Sequence, residues 1–251
     1  MKRFGRVFAG IAAIMLGIGI LLVAVGISRV KADWRSQESF GGTGSVSREF
    51  TQAEQISIEV PVGLLRIQVS GDDKIRFYAE NIDEDGLIVR SEGDRVEIRM
   101  REEQKMLNLF HLDIPVLGLT DIRHLEENQN APVYVLTVPE NYSGVIRASL
   151  SCGKLSADGI RASELELETN VGEMSVDGCA ASKLKLNVNL GALWIESCRA
   201  AWAEAECNLG SIGMQGDFEG LSANVNIGEL SLWMARPESA YQGSIAVSLG
   251  Q

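Results

Sequence analysis

The sequence predicts an all-β protein: a parallel β-helix or solenoid with coils of about nineteen residues, preceded by one N-terminal transmembrane helix. Three observations carry this. A glycine recurs at Gly153, Gly172, Gly191, Gly210, Gly228 and Gly250, spaced 19, 19, 19, 18 and 22 residues apart. Apolar residues alternate by two on either side of it, which is the signature of a strand with one buried face. Finally, Val7 to Ser28 carries no charge.

Residues 7–28, as a helix, would reach about 33 Å at 1.5 Å per residue, enough for a hydrocarbon core of roughly 30 Å. A cleaved signal peptide is the rival, but its apolar core runs only about 7 to 15 residues. Lys2, Arg3 and Arg6 precede the span, so the positive-inside rule places residues 1–6 in the cytoplasm and the rest outside. The expected location is therefore the cell membrane, single-pass. Residues 29–49 include the Gly/Ser-rich stretch SQESFGGTGSVS and read as a flexible tether.

Residues 50–144 hold short alternating runs (ISIEV, LLRIQVS, KIRFYAE, LIVRS, RVEIRM) separated by Gly/Asp turns. They read as irregular first coils or a small β cap, which a stacked repeat needs at its open end. Within them, 105–130 is an insertion without strict alternation and reads as a lid. Asn81, Asp83, Asp85, Gly86 and Glu92 fall on the calcium-loop pattern of an EF-hand, but their flanks read as strands, and a tight Asp/Gly turn accounts for them as well.

Residues 145–251 form the repeat. Its period is too short for a propeller blade and fits one coil of a stack with rungs about 4.8 Å apart. Two side-chain columns follow from the register. Asn170, Asn189, Asn208 and Asn226 stand two residues before their glycines and can form an amide ladder. Arg147, Glu166, Lys185 and Glu204 stand on the outward face with alternating sign, as cross-strand pairs prefer. Cys179 and Cys198 are one period apart, so they read as side-by-side buried thiols, with a disulfide as the alternative. Cys152 and Cys207 read as core filler.

The net charge of −11 argues against a nucleic-acid partner, which would require a basic stripe. No Cys pair or His pair has metal-ligand spacing, and no catalytic or cofactor-binding residue stands out. The aromatic candidates for a partner surface are Trp194, Trp202, Trp233 and Phe110. Trp194 and Trp233 alternate with inward apolar residues, so both should point outward.

The apolar span, the tether, VYVLTVPENYSG at Val133 to Gly144 and the repeated N-apolar-Gly-x-apolar corners together resemble the putative-adhesin β-strand-repeat family, a bacterial envelope domain of unknown function 4097. The resemblance runs from about Glu49 to the C-terminus. It implies a parallel β-helix in a bacterial cell envelope and supplies no catalytic residues. The expected role is a non-enzymatic, adhesin-like interaction module whose partner is a wall polymer or another envelope protein. Two alternatives stand beside it: an accessory of envelope-stress signalling acting through a membrane partner, and a carbohydrate-active β-helix enzyme using acids such as Glu166 and Glu204.

Overall fold

The computed structural model describes residues 42–101, 130–234 and 242–250. The span 7–28, most of the tether and nearly all of the insertion, Phe110 included, lie outside the described residues. No helix among those described is long and apolar enough to cross a membrane.

The described chain is all-β and mostly parallel. Its strands are β1 (Gly44–Phe50), β2 (Gln55–Ser70), β3 (Ile75–Ile82), β4 (Leu87–Glu92), β5 (Arg95–Met100), β6 (Val133–Pro139), β7 (Val145–Asp158), β8 (Arg161–Asp177), β9 (Ala180–Met234) and β10 (Gln242–Gly250). They form one sheet, ordered β1-β3-β6-β2-β7-β8-β9-β10, with β4 attached through β5 to β2.

The expected stack is present. β7 pairs with β8 in parallel with Gly153 opposite Gly172, and β8 pairs with β9 with Gly172 opposite Gly191. At the far end Gly250 of β10 lies opposite Gly228. β9 carries three successive corners in one extended run of 55 residues. Leu165 lies opposite Leu184 and Met174 opposite Leu193, and all four are buried. Each rung thus adds a layer to one apolar core, as alternation by two requires.

The stack starts earlier than the boundary at 144/145 implies. β2 pairs in parallel with β7 from Gln55 to Gln68, with Gly63 opposite Gly153, so β2 is the first rung. The corner Pro61-Val62-Gly63 resembles the later ones in sequence, but 153−63 = 90 residues separate Gly63 from Gly153, the corner paired with it. The intervening strands build the cap. β5 covers the first half of β2, with β4 antiparallel to β5. β6 covers the second half, followed by antiparallel β3 and β1. The tether also ends sooner than residue 49. β1 begins at Gly44 because Val46 and Phe50 bury against the cap while its backbone pairs with β3, a partner that local composition does not reveal.

The corner itself requires glycine. Gly172 has φ +143°, a region that L side chains rarely adopt. A methyl group there would also overlap the carbonyl oxygen of Gly153, one rung away. The same holds for Gly191, Gly210 and Gly228 against their neighbours, so the backbones at this edge touch with no room for a side chain. The second corner follows the short strand after each glycine. There Gly159 and Gly178 have φ +66° and +61°, and Ser197 takes the equivalent place one rung on with φ +54°.

Among the described residues of the stack one polar side chain is buried. Thr169 is fully buried between Leu150 and Val188, its register partners, and its hydroxyl has no hydrogen-bond partner. Thr169→Val should therefore stabilise the protein by about 1 kcal/mol, because it removes a desolvated hydroxyl without changing shape. Gly172→Ala should destabilise it by at least about 2 kcal/mol, from backbone strain and the clash with Gly153. Urea unfolding of the two variants against the parent chain measures both.

Candidate functional site

Two ladders run along the stack on the strand before the glycine corner. In the first, the Asn189 amide nitrogen donates to Asn170 Oδ1, Asn208 to Asn189 and Asn226 to Asn208, each at 2.6 Å. The amide dipoles all point one way, so the bonds polarise one another. In the second, Glu166 accepts from Arg147 on one side at 3.0 Å and from Lys185 on the other at 2.9 Å. Arg147 also reaches Glu164 at 3.1 Å, and Lys183 lies 3.6 Å from Glu164. The hydrogen bond from Lys185, reinforced by Arg147, holds the Glu166 carboxyl below its ordinary value. Glu166 is thus committed to a surface ion-pair column, the first of the two arrangements its spacing allows.

The three described tryptophans are all exposed: Trp194 at 47%, Trp202 at 41% and Trp233 at 58%. Trp194 stands three residues after the corner Gly191, between buried Leu193 and Ile195. Trp233 stands five after Gly228, on the same outward set of the strand following the corner, two rungs further on. Trp202 lies on the other strand, before the corner, in the column of Glu164 and Lys183. So the tryptophans occupy two faces, with Trp194 and Trp233 sharing one.

The indoles of Trp194 and Trp202 are held in place. A methyl group on Gly213 would run into the six-membered ring of Trp194, and one on Gly220 into that of Trp202. Each ring therefore lies across a bare glycine one rung along the stack, leaving its outer face to solvent. Alternation predicts which way Trp194 points. The glycine beneath it is legible only once the register is known, at 194+19 = 213.

Other residues singled out from the sequence have structural roles. All four cysteines are free and buried. The contact with Cys198, followed by burial, raises the Cys179 thiol well above its ordinary value. Asn81 to Glu92 crosses the end of β3, a single 3-10 turn at Glu84–Gly86 and β4. Within it Asp83 caps the turn by accepting from the Asp85 amide at 3.2 Å, Glu84 accepts from the Ser45 amide at 3.1 Å, and Asn81 donates to the Ala131 carbonyl at 3.0 Å. These carboxylates shape a turn between strands. Among the described residues no group of three His, Cys, Asp or Glu side chains could hold a metal ion.

One column departs from strict alternation. Ile227, which alternation assigns to the inward set, is 47% exposed, and Leu209, just before its own corner glycine, is 46% exposed. In the same column Val62 and Cys152 are buried and Val171 and Leu190 half-buried, so the position before the glycine opens to solvent towards the later rungs.

Fold and surface together define a stacked parallel β-repeat protein that displays side-chain ladders and flat aromatic faces. Within that class the chain belongs to the Toastrack DUF4097 family, which matches residues 53–248. Solved structures similar to it include a putative cell adhesion protein from Clostridium sporogenes, at 14% identity and a TM-score of 0.39, covering 76% of this chain and 100% of that one. Another is a putative adhesin from Bacteroides fragilis, at 14% identity and a TM-score of 0.38, covering 82% and 98%. A third is a putative lipid binding protein from Parabacteroides distasonis, at 13% identity and a TM-score of 0.29, covering 82% and 97%. No curated protein matches the chain.

The Glu166 column makes a pH prediction. Its pKa is lowered on folding, so its stabilisation is present above the unfolded value of 4.5 and is lost as pH falls through the lower folded value. Because its partners are well exposed, the effect should be about 0.2 to 1 kcal/mol. Urea unfolding from pH 7 down to pH 3 should show that contribution in the parent chain and lack it in Glu166→Gln.

Proposed function

We propose that this protein is a non-enzymatic interaction module of the cell envelope, with residues 7–28 as a single-pass anchor and the β stack displayed outside. Its partner is a wall polymer or another envelope protein. The observation that carries this reading is the pair of indoles lying flat over Gly213 and Gly220 with their outer faces in solvent. An exposed Trp held rigid loses little conformational entropy on binding and buries a large apolar face, which is why Trp is common at binding hot spots. The repeat adds to this, because a stack of rungs is stiff and presents its side chains at fixed spacing.

The Glu166 pairing supports binding over catalysis. A glycosidase acid works with its pKa raised by burial, whereas Glu166 is held low between two cations.

Co-sedimentation of the purified chain with isolated envelope, comparing wall polymer with membrane fractions, tests the proposal. Trp194→Ala combined with Trp202→Ala should weaken binding about thirtyfold, the equivalent of losing about 2 kcal/mol at a hot spot. Unchanged binding by that double variant, with melting unchanged, would sink the reading.

A further inference from the structure

We propose that the second corner of the stack carries a binding trough for an anionic glycan, with Arg161 and Arg199 taking its acidic groups and Trp202 stacking on a sugar ring. This rests on the reading of the protein as an interaction module and names a ligand class for one of its faces.

The trough encloses about 600 Å³ and runs along the stack just past the second turn of each rung. Its concavity follows from the sequence. Ala162, Ala181 and Ala200 occupy one position in three successive rungs, 19 residues apart, and Ala162 is the register partner of Ala181. Small side chains there leave a channel where larger ones would fill the surface.

The charge placement is specific. Arg161 lies opposite Ala180, and the Arg199 amide donates to the Cys179 carbonyl, which sets Arg199 one rung beyond Ala180. The two arginines therefore stand on the same line, two rungs or about 10 Å apart. Asp217, one rung beyond Arg199, and Glu219 also line the trough, but both arginines are exposed and neither is in an ion pair among the described residues. They contrast with Arg147, Lys183 and Lys185, whose charges are spent on Glu164 and Glu166. A guanidinium presents a planar fork suited to a carboxylate, so two of them at this interval fit an extended chain with recurring acidic groups.

Two further features favour a glycan over a bare polyanion. Trp202 follows Ala201 of the trough wall in sequence and stands just outside the lining, its indole lying on Gly220, the neighbour of the lining residue Glu219, within reach of a ligand that extends past the wall. The apolar face of a sugar ring buries against such a ring. Asp217 and Glu219, at the other end of the trough, would repel a polyanion but can accept hydrogen bonds from sugar hydroxyls.

The test is calorimetric titration of the full chain with three probes of matched length. These are an oligosaccharide alternating uronic acid with N-acetylhexosamine, the neutral N-acetylglucosamine oligomer, and polyphosphate. The uronic oligosaccharide should bind, and its affinity should fall as salt is raised. Arg161→Gln with Arg199→Gln should weaken it at least tenfold and Trp202→Ala at least fivefold. Arg90→Gln, an equally exposed arginine on β4, should leave it unchanged. Both arginines are on the surface, so the double variant tests binding without unfolding the stack. Equal affinity for the neutral oligomer, or full binding by the arginine double variant, would overturn the proposal. So would polyphosphate binding that is as tight and indifferent to Trp202→Ala. Envelope binding that persists while none of the three probes binds would refute the trough alone and leave the interaction-module reading intact.

Discussion

At the glycine corner, backbone meets backbone. Gly172, Gly191, Gly210 and Gly228 each lie so close to the carbonyl of the glycine before them that no Cβ fits, and each has a φ near +140°. This contact sets the lateral position of every rung relative to the last. Once the corners coincide, residues nineteen apart must coincide too, and every column in the protein follows. The Asn ladder, the Arg147–Glu166–Lys185 column, the leucine layers of the core and the alanine floor of the trough are all consequences of that one steric constraint.

Exposed side chains gain their order from the same source. An asparagine amide on an isolated strand is a mobile solvated group. Held two residues before the corner in four successive rungs, it bonds to identical neighbours at 2.6 Å. A surface tryptophan is ordinarily a liability, because it invites association. Here Trp194 and Trp202 are immobilised over glycines of the adjacent rung, so the stack converts a floppy aromatic into a flat fixed face. Rigid display of this kind suits recognition, because a side chain already fixed in place loses little entropy on binding.

The ends of the stack show what a repeat cannot supply for itself. At the first rung the cap is irregular: β5 with β4 on one half of β2, and β6 with β3 and β1 on the other. It shields the core by mixing parallel and antiparallel pairs, which a strict repeat would not provide. The described last rung is more open, with Ile245 58% and Leu249 66% exposed.

Much of this was legible in the sequence, because a repeat writes its register into its spacing. A difference of 19 between glycines predicts which residues will be neighbours, and alternation by two predicts which will be buried. That was enough for the all-β fold, the Asn and charge ladders, the side-by-side placement of the Cys179 and Cys198 thiols, and the outward direction of Trp194. Three things depended on contacts that spacing does not encode. Joining Gly63 to Gly153 spans the whole cap, so no period reveals it. The strand at Gly44–Phe50 exists because β3 is there to pair with it. The trough arises where three alanines and the second turn converge, and Arg161 and Arg199 look like ordinary surface charges until the stack places them on one line. Local alternation is a property of the chain itself, whereas concavity and charge spacing are properties of rungs laid side by side, and these only the tertiary structure decides.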